Sequence, residues 1–162
     1  MITIAIESSQ VQAALTRLQA RLGNLSPALH DVGQALIERT REGIYAGKDW
    51  RGEDFAPNRA ATLARKKGTR PLIAHGDLAS SKLHYSASAD SVTLGASGVQ
   101  SAVLQFGAKA GAFGVNKRGG KMPWGDISAR PFMPIEGGAN GPHSLPKAAQ
   151  ALVLTELADW LK

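Results

Sequence analysis

The sequence predicts an α+β fold in which a small, mostly antiparallel sheet packs against two or three amphipathic helices and a long glycine-rich basic loop. Three observations predict it: alternating apolar residues at the N-terminus, stretches of apolar residues at helical spacing, and a hairpin pattern in mid-chain. Strands and helices follow one another without the regular alternation of a parallel sheet. The 162 residues contain no repeat and no linker, so we expect a single domain over residues 1–162.

The first part of the chain predicts one strand and two helices. Isoleucine occupies every second position over residues 2–6, which is typical of a half-buried strand. An apolar stripe over residues 11–22 predicts the first helix. A longer helix is expected over residues 26–46, beginning with the capping hydroxyl of Ser26 ahead of Pro27. Its apolar positions are Leu29, Val32, Leu36, Ile37 and Ile44.

The next segment predicts irregular structure held by aromatic anchors. Trp50 and Phe55 are separated by polar residues, so no periodic element joins them. A short helix is expected over residues 59–67, which end in three cations. Positive charge in a last helical turn is favourable because it opposes the helix dipole.

Residues 77–106 predict a capped turn, a hairpin and a short helix. Asp77 is placed to cap one or two helical turns. Two strands, over 82–87 and 91–95, flank the polar turn 88–90 and indicate a β-hairpin. Leu83 and Tyr85 share one face, as do Val92 and Leu94. The apolar face expected for the helix within 99–106 is Ala102, Val103 and Phe106.

Residues 107–125 are expected to form a long flexible loop. Nine of the 18 glycines fall between Gly107 and Gly141, and the stretch shows little periodicity. Loops of this length are uncommon in compact domains and are usually functional or disordered. A last helix is expected to begin near Ser144 or Pro146. Its apolar face consists of Ala149, Leu152, Val153, Leu157 and Trp160.

The positive charge is concentrated in the middle of the chain. The formal net charge is +6, and residues 51–121 alone hold eleven basic and four acidic residues, a net +7. The absence of cysteine excludes disulfide scaffolds, iron–sulfur clusters, thiolate zinc sites and cysteine nucleophiles. No apolar run approaches a membrane span, and the N-terminus lacks the features of a signal peptide. We therefore expect a soluble, basic, intracellular domain with no membrane contact.

No set of residues in the sequence predicts catalysis or a cofactor. The four histidines stand at no metal-ligand spacing. The stretch 114–121 begins like a phosphate-binding loop, but Met122 stands where a metal-binding hydroxyl is required. Adjacent Glu53 and Asp54 would point to opposite sides of an extended segment. We expect no enzyme, no cofactor, no metal site and no small-molecule substrate.

The basic middle has three interpretations. It is a solvated surface, a nucleic-acid-binding surface formed by segments 59–70 and 109–121, or a protein interface that orders on assembly. The second lacks support from a helix–turn–helix, a zinc finger or a stacking row of aromatics. The candidate residues that would face an assembly partner or DNA are Lys109, Lys117, Arg118 and Lys121.

Several motifs follow one another in a fixed order over about residues 50–135. The order is Trp50 with Phe55-Ala56-Pro57, a basic stretch, Leu72-Ile73-Ala74-His75-Gly76-Asp77-Leu78, the hairpin, Gln105-Phe106-Gly107, and Ile127-Ser128-Ala129-Arg130-Pro131-Phe132. In this order they resemble the phage virion morphogenesis family, the tail completion proteins of Mu-like phages and prophages. The chain departs from the family at Ser128, where proline is usual, and at Ala102, where tyrosine often stands.

The resemblance implies a non-enzymatic virion component that acts in tail completion or head–tail joining as a homo-oligomeric ring. It implies assembly in the bacterial host cytoplasm, contact with tail-tube or neck proteins, and contact with DNA in the virion. The residues carried over as structural are Trp50, Phe55, Gly76, Leu78, Gln105, Phe106, Gly107, Arg130, Pro131 and Phe132. Phe106 and Phe132 are expected to anchor the core. Arg130 either ties the end of the loop to the body or pairs with a carboxylate such as Asp126.

Overall fold

The computed structural model describes residues 16, 20, 22–73, 77–98, 100–137 and 143–162. The elements in this part of the chain are helix α1 (Ser26–Ala46), α2 (Ala60–Leu63), α3 (Asp77–Ser80), strands β1 (Leu83–Ala87) and β2 (Val92–Ala96), α4 (Ser101–Phe106) and α5 (Lys147–Leu161). Helices with a two-stranded antiparallel sheet confirm the α+β class. The strand expected over residues 2–6 and most of the helix expected over 11–22 lie outside the described residues.

Helix α1 forms the centre of the fold. Pro27 lies in its first turn, and Gly47 ends it with a positive φ of 78°, donating its N–H to the Ile44 carbonyl. The prediction that the Ser26 hydroxyl caps the helix is wrong. Ser26 is the first residue of the helix, and its backbone N–H donates to the Asn24 side chain at 3.0 Å. One face is buried along the whole helix. It consists of Ala28, Val32, Gly33, Leu36, Ile37, Thr40, Gly43 and Ile44.

The expected hairpin is present and packs on α1, with the second strand beginning one residue later than the sequence predicts. Leu83 lies opposite Ala96, and Ala87 lies opposite Val92. The ring of Tyr85 lies directly over Gly33 of α1, where an added Cβ would come within 2.4 Å of the ring. Glycine at this position therefore permits the close approach of helix and strand.

The polar turn of the hairpin is held by side chains. The hydroxyl of Ser88 lies 2.8 Å from the Asp90 carboxylate and 2.7 Å from the hydroxyl of Ser91. Hydrogen bonds from Ser88 and then from Ser91 hold the pKa of Asp90 below its usual range.

Two apolar clusters meet on α1. The first consists of Ile37, Ile44, Phe55, Leu78, Ala79, Leu83, Phe132 and Met133. The second consists of Val32, Leu36, Trp50 and Ala149, with Leu152, Val153 and Leu157 of α5 packed against it. Helix α5 begins directly after Pro146, as the sequence predicts. None of the helices in the described residues is long and apolar enough to span a bilayer.

The two short helices differ from the sequence prediction. Helix α2 ends at Leu63, because the chain tightens into turns in which Arg65 and Lys66 donate to carbonyls three residues back. In α4 the expected apolar face is wrong, since Ala102 is exposed while Ser101 and Gln105 are buried. The polar side chain of Gln105 is buried because its oxygen accepts backbone N–H groups of residues 132 and 133.

Candidate assembly surface

Arg130 joins two distant segments of the chain. Its side chain is 9% exposed, its Nε donates to the Ala56 carbonyl at 2.7 Å, and its Nη2 donates to the Pro57 carbonyl at 2.8 Å. The carboxylate pairing considered for this residue is wrong, because Asp126 binds Lys109 instead and no ion pair of Arg130 occurs among the described residues. Backbone carbonyls therefore take the place of the expected carboxylate.

Gln105 holds the segment that follows Arg130. Its Oε1 accepts the backbone N–H of Phe132 at 3.0 Å and that of Met133 at 2.9 Å. The N–H of Arg130 donates to the Leu104 carbonyl at 2.7 Å. These N–H groups lie in irregular chain with no sheet partner, so buried acceptors from α4 satisfy them. The ring of Phe132 is thereby fixed in the first core cluster.

Gly107 stands where the chain leaves α4. Its φ is 74°, and a Cβ at this position would lie 2.7 Å from the Ile127 carbonyl oxygen. That carbonyl accepts the N–H of Ala108 at 3.0 Å, and the N–H of Ile127 donates back to Ala108 at 2.7 Å. The two ends of the glycine-rich segment are therefore held together, and glycine is needed for their close approach.

Asp126 closes the same junction with its side chain. One carboxylate oxygen accepts the Ala110 N–H at 2.9 Å, and the other lies 3.0 Å from Nζ of Lys109. The bond from Ala110 first, and then that from Lys109, hold the pKa of Asp126 below its usual range. We call this junction of Gly107, Ala108, Lys109, Asp126 and Ile127 the clasp.

Residues 108–127 form a ladder of backbone hydrogen bonds that we call the arm, and the clasp lies at its base. Phe113 donates its N–H to the Met122 carbonyl at 2.8 Å, and Val115 bridges to Lys121. At the tip, the Asn116 side chain accepts the N–H groups of Arg118 and Gly120. The sequence shows no alternation here because backbone bonds and positive-φ glycines form the ladder. The flexibility expected for residues 107–125 stays a prediction.

The arm exposes large apolar side chains next to cations. Phe113 is 57% exposed and Trp124 is 80% exposed, and Val115 and Met122 are exposed as well. The cations of the arm are Lys109, Lys117, Arg118 and Lys121. Of these only Lys109 has a side-chain hydrogen bond or ion pair within the described part of the chain.

The two basic segments of the sequence meet at the base of the arm. The guanidinium of Arg65 lies 6.0 Å from the centre of the Trp124 ring. The guanidinium of Arg59 packs over Gly125, where a Cβ would come within 2.8 Å of it. Residues of segment 59–70 and of the arm thus line the same cavity, which has a volume of about 600 Å³.

The other motif residues fall into three groups. Trp50, Phe55 and Leu78 are buried in the core, and the Arg39 guanidinium lies 5.5 Å from the Trp50 ring centre. Phe106 and Pro131 are half-buried. The core role expected for Phe106 is wrong, because its ring belongs to neither core cluster and stacks on His143 with the ring centres 6.0 Å apart. Gly76 lies outside the described residues, as does His75.

Sequence reasoning missed the clasp, the role of Gln105 and the cavity. Asp126 and Lys109 are 17 positions apart in a stretch without periodicity, so no local pattern signals their pairing. The described residues contain no group of three or more histidine, aspartate or glutamate side chains suited to a metal ion.

Comparison with known proteins gives one family. A family model described as the phage virion morphogenesis family matches residues 6–141. No curated protein and no solved structure matches the chain. The matched range contains the core motifs, Arg130, the clasp and the whole arm.

Proposed function

The chain belongs to the phage virion morphogenesis family, and from this premise we propose that it completes the tail or joins it to the head as a homo-oligomeric ring. Membership of a virion assembly family supports a structural role in the phage particle. The partners that we propose for the ring are tail-tube or neck proteins. The place of action is the bacterial host cytoplasm during assembly and then the virion.

The observation that carries the proposal is the arm. It is an ordered ladder, yet its large side chains Phe113, Val115 and Met122 face solvent. Clusters of exposed apolar side chains in a folded domain mark interaction sites. The unpaired cations Lys117 and Arg118 at the tip add charge that selects an acidic partner surface. In a ring, the arm of one copy covers part of the next copy.

The test is deletion of the coding sequence in the phage or prophage that carries it, followed by electron microscopy of the lysate. Filled heads and separate tails are expected, because the two assemble but do not join. Supplying the wild-type chain in trans restores joined particles, and a chain with Phe113→Ser and Val115→Ser does not. Joined, infectious particles in the deletion strain would contradict the proposal.

A second candidate is non-specific nucleic-acid binding through segments 59–70 and 109–121. The observation that favours it is the meeting of both basic segments at Arg65 and Trp124. Phosphate binding of this kind weakens steeply as salt rises. Charge reversal at Lys117, Arg118 and Lys121 should flatten the salt dependence of binding to duplex DNA. Absence of binding at low salt would end this candidate.

A further inference from the structure

The cavity at the base of the arm is lined by four cations and one carboxylate. The cations are Arg59, Lys66, Lys82 and Arg130, and the carboxylate is Asp126. Both oxygens of Asp126 are already engaged in the clasp by Lys109 and the Ala110 N–H. The positive charge around the cavity is therefore not balanced by the residues that line it. We call this space the cationic cavity.

Arg130 is the most buried of these cations. Its two hydrogen bonds, to the carbonyls of Ala56 and Pro57, use two of the five N–H groups that a guanidinium carries. Burial first, and then the charge of Arg59, lower the pKa of Arg130. Burial and the charge of Arg130 lower the pKa of Lys66 as well. Like charges crowded in a half-buried place are unfavourable, and an anion placed between them would relieve the repulsion.

Ser101 supplies a second, independent sign of a missing ligand. The residue is 7% exposed and lines the cavity, and its hydroxyl has no hydrogen-bond partner within the described residues. Glycine at position 98 leaves room for this hydroxyl, since an added Cβ there would lie 2.7 Å from it. A buried hydroxyl without a partner is costly, so it is ready to donate to an acceptor that enters the cavity.

Part of the cavity wall is apolar, beside polar residues such as Asn58 and Gln100. The apolar part consists of Leu72, Leu78, Leu104, Ile127 and the exposed ring of Trp124. Leu72 also holds a positive φ of 60°, a backbone conformation that is strained for leucine. A phosphate group would satisfy the cations but would leave this wall uncovered. A ligand that covers both parts carries an apolar side chain next to a carboxylate.

We propose that the cationic cavity binds an acidic peptide segment of another virion protein, with a carboxylate at Arg130 and Ser101 and an apolar side chain against Leu104 and Trp124. The inference rests on the proposed function in taking the partner to be a virion component. The cavity recognises the segment by charge complementarity and by shape.

The test uses a fluorescein-labelled acidic peptide, acetyl-Asp-Glu-Leu-Phe-Glu-Asp-amide, titrated with the full chain and followed by fluorescence anisotropy. One control peptide replaces the acids by their amides, and another replaces Leu-Phe by Ser-Ser. We expect the acidic apolar peptide to bind at least about tenfold more tightly than either control. Oligothymidylate of about 20 nucleotides is the nucleic-acid probe.

Two matched double variants locate the binding. Arg59→Glu with Lys82→Glu reverses two cations of the cavity and should weaken peptide binding by about tenfold or more. Lys147→Glu with Lys162→Glu makes the same charge change on exposed residues of α5 and its end, and should change binding less than about twofold. Ser101→Ala removes the unpartnered hydroxyl and should weaken binding by about threefold without lowering the melting temperature.

Three outcomes would overturn the inference. The first is equal binding of all three peptides, and the second is equal weakening of peptide binding by both double variants. The third is that oligothymidylate binds more tightly than the acidic peptide and that the cavity variant loses this binding. Circular dichroism checks that each variant is folded. If the double variant in the cavity is unfolded, the effect of Ser101→Ala on peptide binding provides the test instead. Peptide binding is read separately from self-association and from the joining of heads and tails. Loss of the cavity inference would thus leave the proposed function standing, whereas failure of the proposed function would remove the identity of the partner but not the peptide binding measured here.

Discussion

Phe132 and Phe113 are the same residue type in two regions that treat it in opposite ways. Phe132 is 2% exposed within the first core cluster, whereas Phe113 is 57% exposed on the arm. Both lie outside regular helices and strands, and both are fixed by their backbone. Phe132 donates its N–H to the Gln105 side chain, and Phe113 donates its N–H to the Met122 carbonyl. The difference therefore lies in what covers the ring.

The proposed assembly role of the arm implies that folding and assembly of this chain depend on different residues. The body, by which we mean the two core clusters with α1, α5 and the hairpin, buries the side chains of those clusters, although Tyr45 of α1 and Leu154 of α5 are exposed. The arm is held by backbone hydrogen bonds and leaves its large apolar side chains exposed. Substitutions in the body should change stability, and substitutions in the arm should change association. Paired variants with the same chemistry in both regions test this directly.

The largest effect is expected for Phe132→Ala. Removal of a buried phenylalanine side chain should lower the free energy of unfolding by about 3–5 kcal/mol, because it leaves a cavity in the core. The matched variant Phe113→Ala should change it by less than about 0.5 kcal/mol, because the ring is exposed. Urea denaturation followed by circular dichroism measures both. Similar losses of unfolding free energy in the two variants would contradict the difference between the core and the arm.

Gln105→Met should cost about 2–4 kcal/mol of unfolding free energy. Methionine fills a similar volume but leaves the N–H groups of Phe132 and Met133 without an acceptor in a buried place. Gln34→Met is the control, since Gln34 is exposed on α1 and its hydrogen bonds, to Glu38 and from the Tyr85 hydroxyl, lie at the surface. That variant should stay within about 0.5 kcal/mol of the wild type. Denaturation of the two variants in parallel gives the answer, and a neutral Gln105→Met would refute the role assigned to this side chain.

Gly107→Ala should be more damaging than Gly119→Ala. Both glycines have a positive φ, 74° and 76°, so alanine is strained at either position, and at Gly107 the ψ of −179° makes a combination that glycine alone adopts readily. Only at Gly107 does the added Cβ meet a backbone oxygen, that of Ile127, while Gly119 has open space. We expect a further loss of about 1–2 kcal/mol at Gly107, seen as a lower thermal midpoint. Equal midpoints would show that the clasp is looser than the structure indicates.

The smallest effect is local and depends on pH. Because the folded state lowers the pKa of Asp126, the clasp contributes above the unfolded pKa and is lost as the pH falls through the lowered folded value. The amide proton of Ala110 should therefore titrate, by NMR, at a pH below the usual range of an aspartate. Asp126→Asn should abolish this titration, whereas Asp54→Asn, which affects only the exposed pair with Lys48, should preserve it. A normal midpoint for Ala110 would contradict the clasp.

The sequence predicts the elements that have a period, and it misses the contacts that need tertiary structure. Helix α1 and the hairpin follow from spacing, because apolar residues repeat on the face that becomes buried. The family resemblance carries Gln105 over as structural, but its spacing could not show that it is buried, since a polar residue at the buried position of a short helix looks like an exposed one. The cationic cavity was equally hidden. Arg59 and Arg130 are more than 70 positions apart, and only folding brings their charges together.

Self-association through the arm is the central claim, and light scattering coupled to size-exclusion chromatography tests it most directly. The wild-type chain of 17.0 kDa should show a molar mass of several chains that rises with concentration. The variant with Phe113→Ser and Val115→Ser should elute with the mass of one chain and keep the wild-type thermal midpoint. A wild-type chain that stays monomeric at every concentration, or a double variant with the same oligomer as the wild type, would contradict the account.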